Sequence, residues 1–267
     1  LCDIVPAQRL CAVHINHGLS DNADKWQSHV EGFCQSRGVQ LLCETVSVDG
    51  AGEGLEAAAR KARYEVFSRL LQTDGLLFLG HHADDQVETV LYRLLRGSGS
   101  KGLSGIPDSR TLAEGRLMRP LLQWQKSQLQ DFAKQHNLTW IEDETNLQTT
   151  FDRNYLRNRV VPEIAYRWPD YAKRIGLSAQ LSKDNEDLAE ALAADDLQTV
   201  EVKAERGGGS ICLHALTAMP AVRQRNTLRH WPGLYQLPLP GHKIVAEIID
   251  SVVRAGEDAA PKLLSQG

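Results

Sequence analysis

Short apolar runs with β-branched character alternate with amphipathic stretches through the first half of the chain. The runs lie at residues 10–15, 39–48 and 76–79, and runs of this kind suit buried strands. Between them, residues 23–36 and 55–71 place apolar side chains at helical spacing. Strand, helix, strand, helix, strand predicts βαβ units and therefore a parallel sheet. Another amphipathic stretch, residues 127–136, leads into a short apolar run at 138–141. The pattern up to about residue 165 predicts an α/β domain built on a doubly wound parallel sheet.

The texture then changes. Residues 171–197 hold no proline and are rich in Ala, Leu, Glu and Asp, which predicts a long helix with Pro169 near its start. Residues 206–210 read Arg-Gly-Gly-Gly-Ser and mark a loop. A strand-like piece, a helix near 222–230, the proline-bearing stretch 237–241 and a last helix near 244–255 follow. These predict a second, smaller and mostly helical domain, with residues 1–183 forming the first domain and 184–267 the second. The pattern contains no internal repeat.

Composition narrows the class. Hydrophobic residues make up 42% of the chain and charged residues 24%, as in a globular protein with a buried core. No apolar run approaches the roughly 18–20 residues that span a bilayer, and the N-terminus lacks the pattern of a secretory signal. The five cysteines, Cys2, Cys11, Cys34, Cys43 and Cys212, contain no Cys-x-x-Cys pair. They argue for a reducing, cytoplasmic setting rather than a disulfide framework or a cysteine zinc site. Net charge is −4, yet residues 93–174 carry 14 Lys/Arg against 9 Asp/Glu. A basic block inside an acidic chain is a candidate phosphate-binding surface.

Four stretches carry chemistry. Gly80-His-His-Ala-Asp-Asp-Gln-Val-Glu-Thr89 follows the third strand and opens a helix, the place where open α/β sheets bind ligands. Asp85 and Glu88 are three apart and share a helix face. Such a pair suits Mg²⁺ beside phosphates or the orientation and deprotonation of an amine, while Asp84 suits the helix N-terminus electrostatically. In residues 56–64, Arg63 falls inside the apolar stripe of its helix and Arg60 at its edge, and a guanidinium there calls for an anion. Residues 96–105 form a glycine-rich loop flanked by Arg96 and Lys101, again suited to an anion. Arg153, Asn154, Arg157 and Arg159 follow Trp140–Asn146 and suit an RNA backbone or, equally, ion pairs to residues 142–144.

Taken in order, these strings resemble the tRNA(Ile)-lysidine synthetase family of the PP-loop, N-type ATP-pyrophosphatase group. The resemblance rests on His14-Ile-Asn-His-Gly-Leu19, on residues 56–64 and 81–89, on Arg96-Gly-Ser-Gly99, on residues 140–146 and on Arg153-Asn-x-Leu-Arg157. It implies an adenine-nucleotide alpha-hydrolase-like fold and a two-step reaction on the wobble cytidine of isoleucine tRNA. ATP adenylates the C2 carbonyl oxygen, releasing pyrophosphate, and the side-chain amine of free L-lysine then displaces AMP. By position, Asp85, Glu88, Arg60 and His81 correspond to catalytic groups, with Asp85 and Glu88 also candidates for Mg²⁺. His14, Asn16, His17, His82 and Arg63 correspond to the ATP site. Arg96, Lys101, Arg119, Arg153, Asn154 and Arg157 are the candidates for the anticodon region of the tRNA, and a homodimer is compatible with this reading.

One departure stands out. The family's Ser-Gly-Gly-x-Asp-Ser loop, which precedes the strand at residues 10–15, does not occur in the chain. The expectation is a middle portion of a cytoplasmic enzyme that binds ATP poorly and is less stable without the strand that carries the loop. The competing readings are a related PP-loop enzyme that thiolates tRNA, whose paired cysteines are absent here, and a non-catalytic tRNA-binding protein.

Overall fold

The computed structural model describes residues 4–18, 20, 22–47, 55–147, 151–200, 202–205 and 208–253. The predicted helix end at residue 255, residues 206 and 207 of the predicted loop, and the side chain of Glu56 lie outside them. The chain forms two compact units. The first holds the chain up to Tyr92 together with Ile106–Arg174, and the second holds Arg93–Gly105 and the chain from Ile175 onward. The division falls within the long helix that the expected boundary at residue 183 also cuts, and the end of the helix Ala83–Leu95 with the segment after it, to Gly105, belongs to the second unit.

In the first unit, strand β1 (Cys11–Asn16), helix α1 (Ala23–Ser36), strand β2 (Gln40–Thr45), helix α2 (Leu55–Leu70), strand β3 (Leu76–Phe78) and helix α3 (Ala83–Leu95) follow one another. β1 and β2 pair in parallel from Cys11↔Gln40 to Asn16↔Thr45. β3 pairs in parallel with strand β5 (Gly115–Met118), Leu77 opposite Leu117. Strand β4 (Ser109–Leu112) is antiparallel to β5, so this sheet runs β3-β5-β4. Both sheets share one core. Phe67 of α2 packs with Leu112 and the fully buried Leu117, and Val13, Ile15, Leu77 and Leu79 close around them.

The β4–β5 hairpin escapes the sequence pattern. Its two-residue turn, Ala113-Glu114, lacks the Asn-Gly or Asp-Gly signature, and Ala113 adopts φ 47° without it. Gly115 is required there, because a Cβ would meet the Gly75 carbonyl oxygen at 2.5 Å. The apolar run at 138–141 is irregular rather than a strand. Trp140 and Ile141 instead line a groove of about 430 Å³ with Trp26 and Phe33 of α1.

The second unit begins where α3 ends. Gly97 at φ 71° closes that helix, its N–H reaching Leu94 O while Ser98 N–H reaches Arg93 O, the paired bonds of a Schellman stop. Arg93 then donates to Gly102 O and Gly105 O at 2.9 and 2.8 Å. The glycines of this loop thus end one helix and seat the short helix α4 (Ser100–Leu103). Ser100 Oγ and Arg229 both donate to Glu186. The C-terminal core gathers Leu197, Val200, Leu216, Leu228, Val245 and Ile249. Among the described residues no helix is long and apolar enough to cross a membrane.

Asp84 ties three elements of the first unit together. Its Oδ2 accepts the Lys126 N–H that opens helix α5 (Lys126–Gln135) at 2.7 Å. Its Oδ1 accepts the Tyr171 hydroxyl, at the start of the long helix Tyr171–Thr199, at 2.9 Å. Burial would raise its carboxyl, but contacts with His82, Lys126 and Tyr171 hold it at about 2, below the ordinary 3.8. A depressed folded-state pKa contributes stability above the unfolded value and loses it as pH falls through the folded one. Asp84→Asn should therefore lower stability at neutral pH by roughly 2 kcal/mol, and the difference from the parent should shrink between about pH 4 and pH 2. Urea denaturation across that range measures it, and a pH-independent difference would remove Asp84 as the origin.

Candidate active site

The carboxyl end of β3 and the first turns of α3 set the site. Gly80-His81-His82 leaves the strand, and Ala83 N–H bonds to Trp124 O at 2.8 Å to start the helix. Asp85 Oδ2 reaches back to the His82 N–H at 2.9 Å, the third-residue half of a capping box. Gln86 clamps the backbone of Ile106 from both sides, at 2.6 and 3.2 Å. α3 is thereby pinned at its start and along its flank, which fixes the direction of Asp85 and Glu88.

Glu88 is 3% exposed, and its counter-charge is Arg157. The guanidinium donates Nε to Oε1 at 2.6 Å and Nη2 to Oε2 at 2.9 Å, a bidentate fork. Nη2 also lies 3.5 Å from Asp85 Oδ1, and Nη1 donates to Asn146 Oδ1 at 2.9 Å. Burial works against the Arg157 charge, but Glu88, Asp85 and Asp84 carry its pKa upward. Arg157 sits in a π-helical turn, Leu156–Val160, after helix α6 (Asp152–Tyr155), and such turns recur at functional sites. One helical turn earlier, Arg153 donates to Thr89 Oγ1 at 2.8 Å. The Arg-Asn-x-x-Arg string is thus bound to the acidic helix through both arginines, with Asn154 half-buried beside them.

The two histidines part company. His82 touches Asp84 and Asp85 at 3.4 and 3.6 Å; burial opposes its charge, but these carboxylates and Glu88 raise its pKa. For His81 burial pushes the pKa down, and Arg119, Arg60 and Arg153 push it further against the pull of Asp85. The surroundings thus favour the neutral form of His81 and the charged form of His82, so one strand end carries two imidazoles pushed in opposite directions.

At the end of β1, Asn16 Oδ1 accepts the Gly18 N–H at 2.9 Å, and His14 is half-buried on the strand. Arg63 reaches His17 Nε2 at 3.3 Å. A guanidinium only donates, so that nitrogen accepts and the ring proton lies on Nδ1, which is buried without a partner. Burial, Arg63 and His14 all lower the His17 pKa. Arg63 was expected on a buried face and is exposed. It lies at the level where β1 has ended, so the sheet no longer covers it, and its partner is an imidazole rather than an anion.

The residues expected to meet tRNA divide between the two units. Arg96 and Lys101 are exposed in the second unit. Arg119 is 4% exposed and donates to Pro107 O at 2.7 Å and the Tyr64 hydroxyl at 3.4 Å. At that depth Arg119 is not part of an exposed basic surface. Its pattern in the sequence, a lone arginine before Pro120, gives no sign of that burial. Sequence reasoning also passed over Tyr64 and Arg110, which the tertiary structure brings to Arg60 and Arg119.

Comparison with known proteins agrees with this picture. Residues 3–164 match the profile of the PP-loop domain, and residues 212–267 that of the TilS substrate binding domain. The chain is 40% identical over 258 residues to the tRNA(Ile)-lysidine synthase of Shigella flexneri, covering 97% of the chain and 59% of that relative. To the tRNA(Ile)-lysidine synthase of Coxiella burnetii it is 39% identical over 262 residues, covering 98% of the chain and 57% of the relative. The chain therefore spans less than two thirds of the length of these curated relatives. Among solved structures, the U34-tRNA thiolase NcsA from Methanococcus maripaludis superposes with a TM-score of 0.52 at 14% identity, over 65% of this chain and 62% of that one. That last likeness is one of fold. With more than half of its residues inside one profile, the chain belongs to the PP-loop domain family.

Proposed function

We propose that this chain serves the ATP-dependent ligation of lysine to C2 of the wobble cytidine of isoleucine tRNA, through an adenylated tRNA intermediate. The observation that carries the reading is the Asp85–Glu88 pair at the strand end with Arg157 as its counter-ion, within a chain about 40% identical to tRNA(Ile)-lysidine synthases. Adenylation makes phosphoryl charge, which the guanidinium groups of Arg60 and its neighbours stabilise. Ligation then needs a lysine amine delivered and relieved of a proton. Asp85 and Glu88 attract the ammonium, and neutral His81 is a suitable proton acceptor. The β1 end, with His14, Asn16 and His17, is where we read the adenosine. Arg96, Lys101, Arg153 and Asn154 remain the candidates for RNA contact, whereas Arg157 is engaged with Glu88 inside the first unit.

Mg²⁺ does not fit the described residues well. Both Glu88 oxygens are held by Arg157, Asp85 Oδ2 is held by the His82 N–H, and no group of three or more His, Cys, Asp or Glu among the described residues is placed to hold a metal ion.

A protein extended to the length of the relatives should transfer labelled lysine, at the expense of ATP, to an isoleucine tRNA transcript bearing a wobble cytidine. Replacing that cytidine should abolish transfer. Glu88→Gln should lower single-turnover ligation by about 10²-fold or more, with circular dichroism reporting an intact fold. Lysine transfer that ignores the wobble base would reject the substrate assignment, and tRNA binding with no transfer at all would favour a binding protein.

Arg157→Ala should destabilise the first unit by about 3–5 kcal/mol, because it strands a buried carboxylate. Urea denaturation checks this. If stability is unchanged while the salt dependence of tRNA binding flattens by about one ion, Arg157 is an RNA phosphate contact instead.

A further inference from the structure

Three arginines converge on one phenol. Arg60 of α2 lies with its guanidinium carbon 4.8 Å from the centre of the Tyr64 ring, and Arg110 of β4 lies at 4.9 Å. Arg60 and Arg119 each donate an N–H to the Tyr64 hydroxyl at 3.4 Å, while Arg110 meets the ring face. Arg110 stands opposite Leu117 in the hairpin register, and cross-strand partners share a face. It therefore occupies a position on the side of the hairpin that Leu112 and Leu117 turn into the core, where alternation calls for an apolar side chain.

The charge in this cluster is one-sided. Among the described residues, none of the three guanidinium groups has a carboxylate at ion-pair distance. Arg119 is 4% exposed, and apart from Tyr64 its side chain donates to the neutral Pro107 carbonyl. Its Nε is buried without an acceptor. A buried cation without a counter-ion is costly, and the phenol surrounded by donors has no described acceptor for its own proton. Both the guanidinium groups and the phenol proton suit one kind of partner, an oxyanion. Leu79 N–H bonds to Met118 O at 3.0 Å, so Arg119 leaves β5 beside the end of β3, and the cluster adjoins the strand end that carries the candidate active site.

We propose that Arg60, Arg110 and Arg119, gathered on Tyr64, form a receptor for a phosphoryl anion. Forked guanidinium donors match phosphate oxygens better than any other abundant anion except a carboxylate. Three cations without a described acid suit a multiply charged group. The inference rests on the proposed function only for where that group comes from. It is either the pyrophosphate end of the nucleotide or a phosphodiester of the RNA.

The complete chain, titrated calorimetrically with inorganic pyrophosphate and, separately, with an anticodon stem-loop RNA, distinguishes the sources without turnover. Arg110→Gln, at an exposed position, and Tyr64→Phe, which keeps the ring, should each weaken one probe by about tenfold or more, the lower range for a charge-assisted hydrogen bond. Loss confined to pyrophosphate assigns the site to the nucleotide. Loss confined to RNA, with a shallower salt dependence, assigns it to the tRNA backbone. The proposal falls if the parent chain binds neither probe, or if both folded variants bind both probes as the parent does. It also falls if near-ultraviolet absorbance shows Tyr64 already ionised at neutral pH and indifferent to pyrophosphate, for the phenolate is then the counter-ion. Failure of lysine ligation would leave these binding results standing.

Discussion

Glu88 lies among buried side chains of α3 with 3% of its surface exposed, and a carboxylate there needs a cation held firmly to it. Arg157 meets the need with both ends of its fork, and Asn146 fixes the remaining nitrogen. The cost of this pair reaches back into the fold. A π-helical turn must aim Arg157, Arg153 must lock to Thr89, and α3 must be pinned by Asp85, Gln86 and Ala83 before the fork can close. A buried ion pair adds little net stability when whole and much instability when halved. Its value here is specificity of placement: the two acidic residues of the site can point only one way.

The same pair bears on chemistry. A guanidinium that already neutralises the carboxylates is a rival to any other cation brought to them, whether an ammonium or a metal. A cation brought to this site would exchange one ion for another rather than fill bare acids, which would make its binding less sensitive to bulk salt than that of an exposed pair. The arginines at the Tyr64 side have no such acid. The first unit therefore contains two neighbouring environments of opposite need, one a carboxylate pair already matched and one a guanidinium cluster still unmatched.

Parallel βα alternation was legible because period and turn chemistry act locally. Residues 23–36, the strands near 11–16, 40–45 and 76–78, and the long helix from Tyr171 all appear in the sequence as spacing. The hairpin at 109–118 was not, since its turn works with Ala113 in a left-handed conformation that alanine does not advertise. In the glycine-rich stretch 97–105, spacing does not show that Gly97 and Gly105 take left-handed conformations, stopping one helix and shaping the next turn.

For the site, the sequence by itself determined which residues are chemically able and which strand end carries them: Asp85, Glu88, His81 and His82 follow β3 because that order is written in the chain. It also determined family membership, because an ordered set of short strings survives without any knowledge of contacts. Only the tertiary structure decided who faces whom. Arg119 and Arg157 carry the same side chain and both read as surface cations, but one is drawn under a hairpin against Tyr64 and the other into a bidentate pair with Glu88. The reason is physical: helical and strand periods fix a side chain's direction from its own element, while the partner across a gap is set by packing between segments up to 69 residues apart, about which local spacing holds no information.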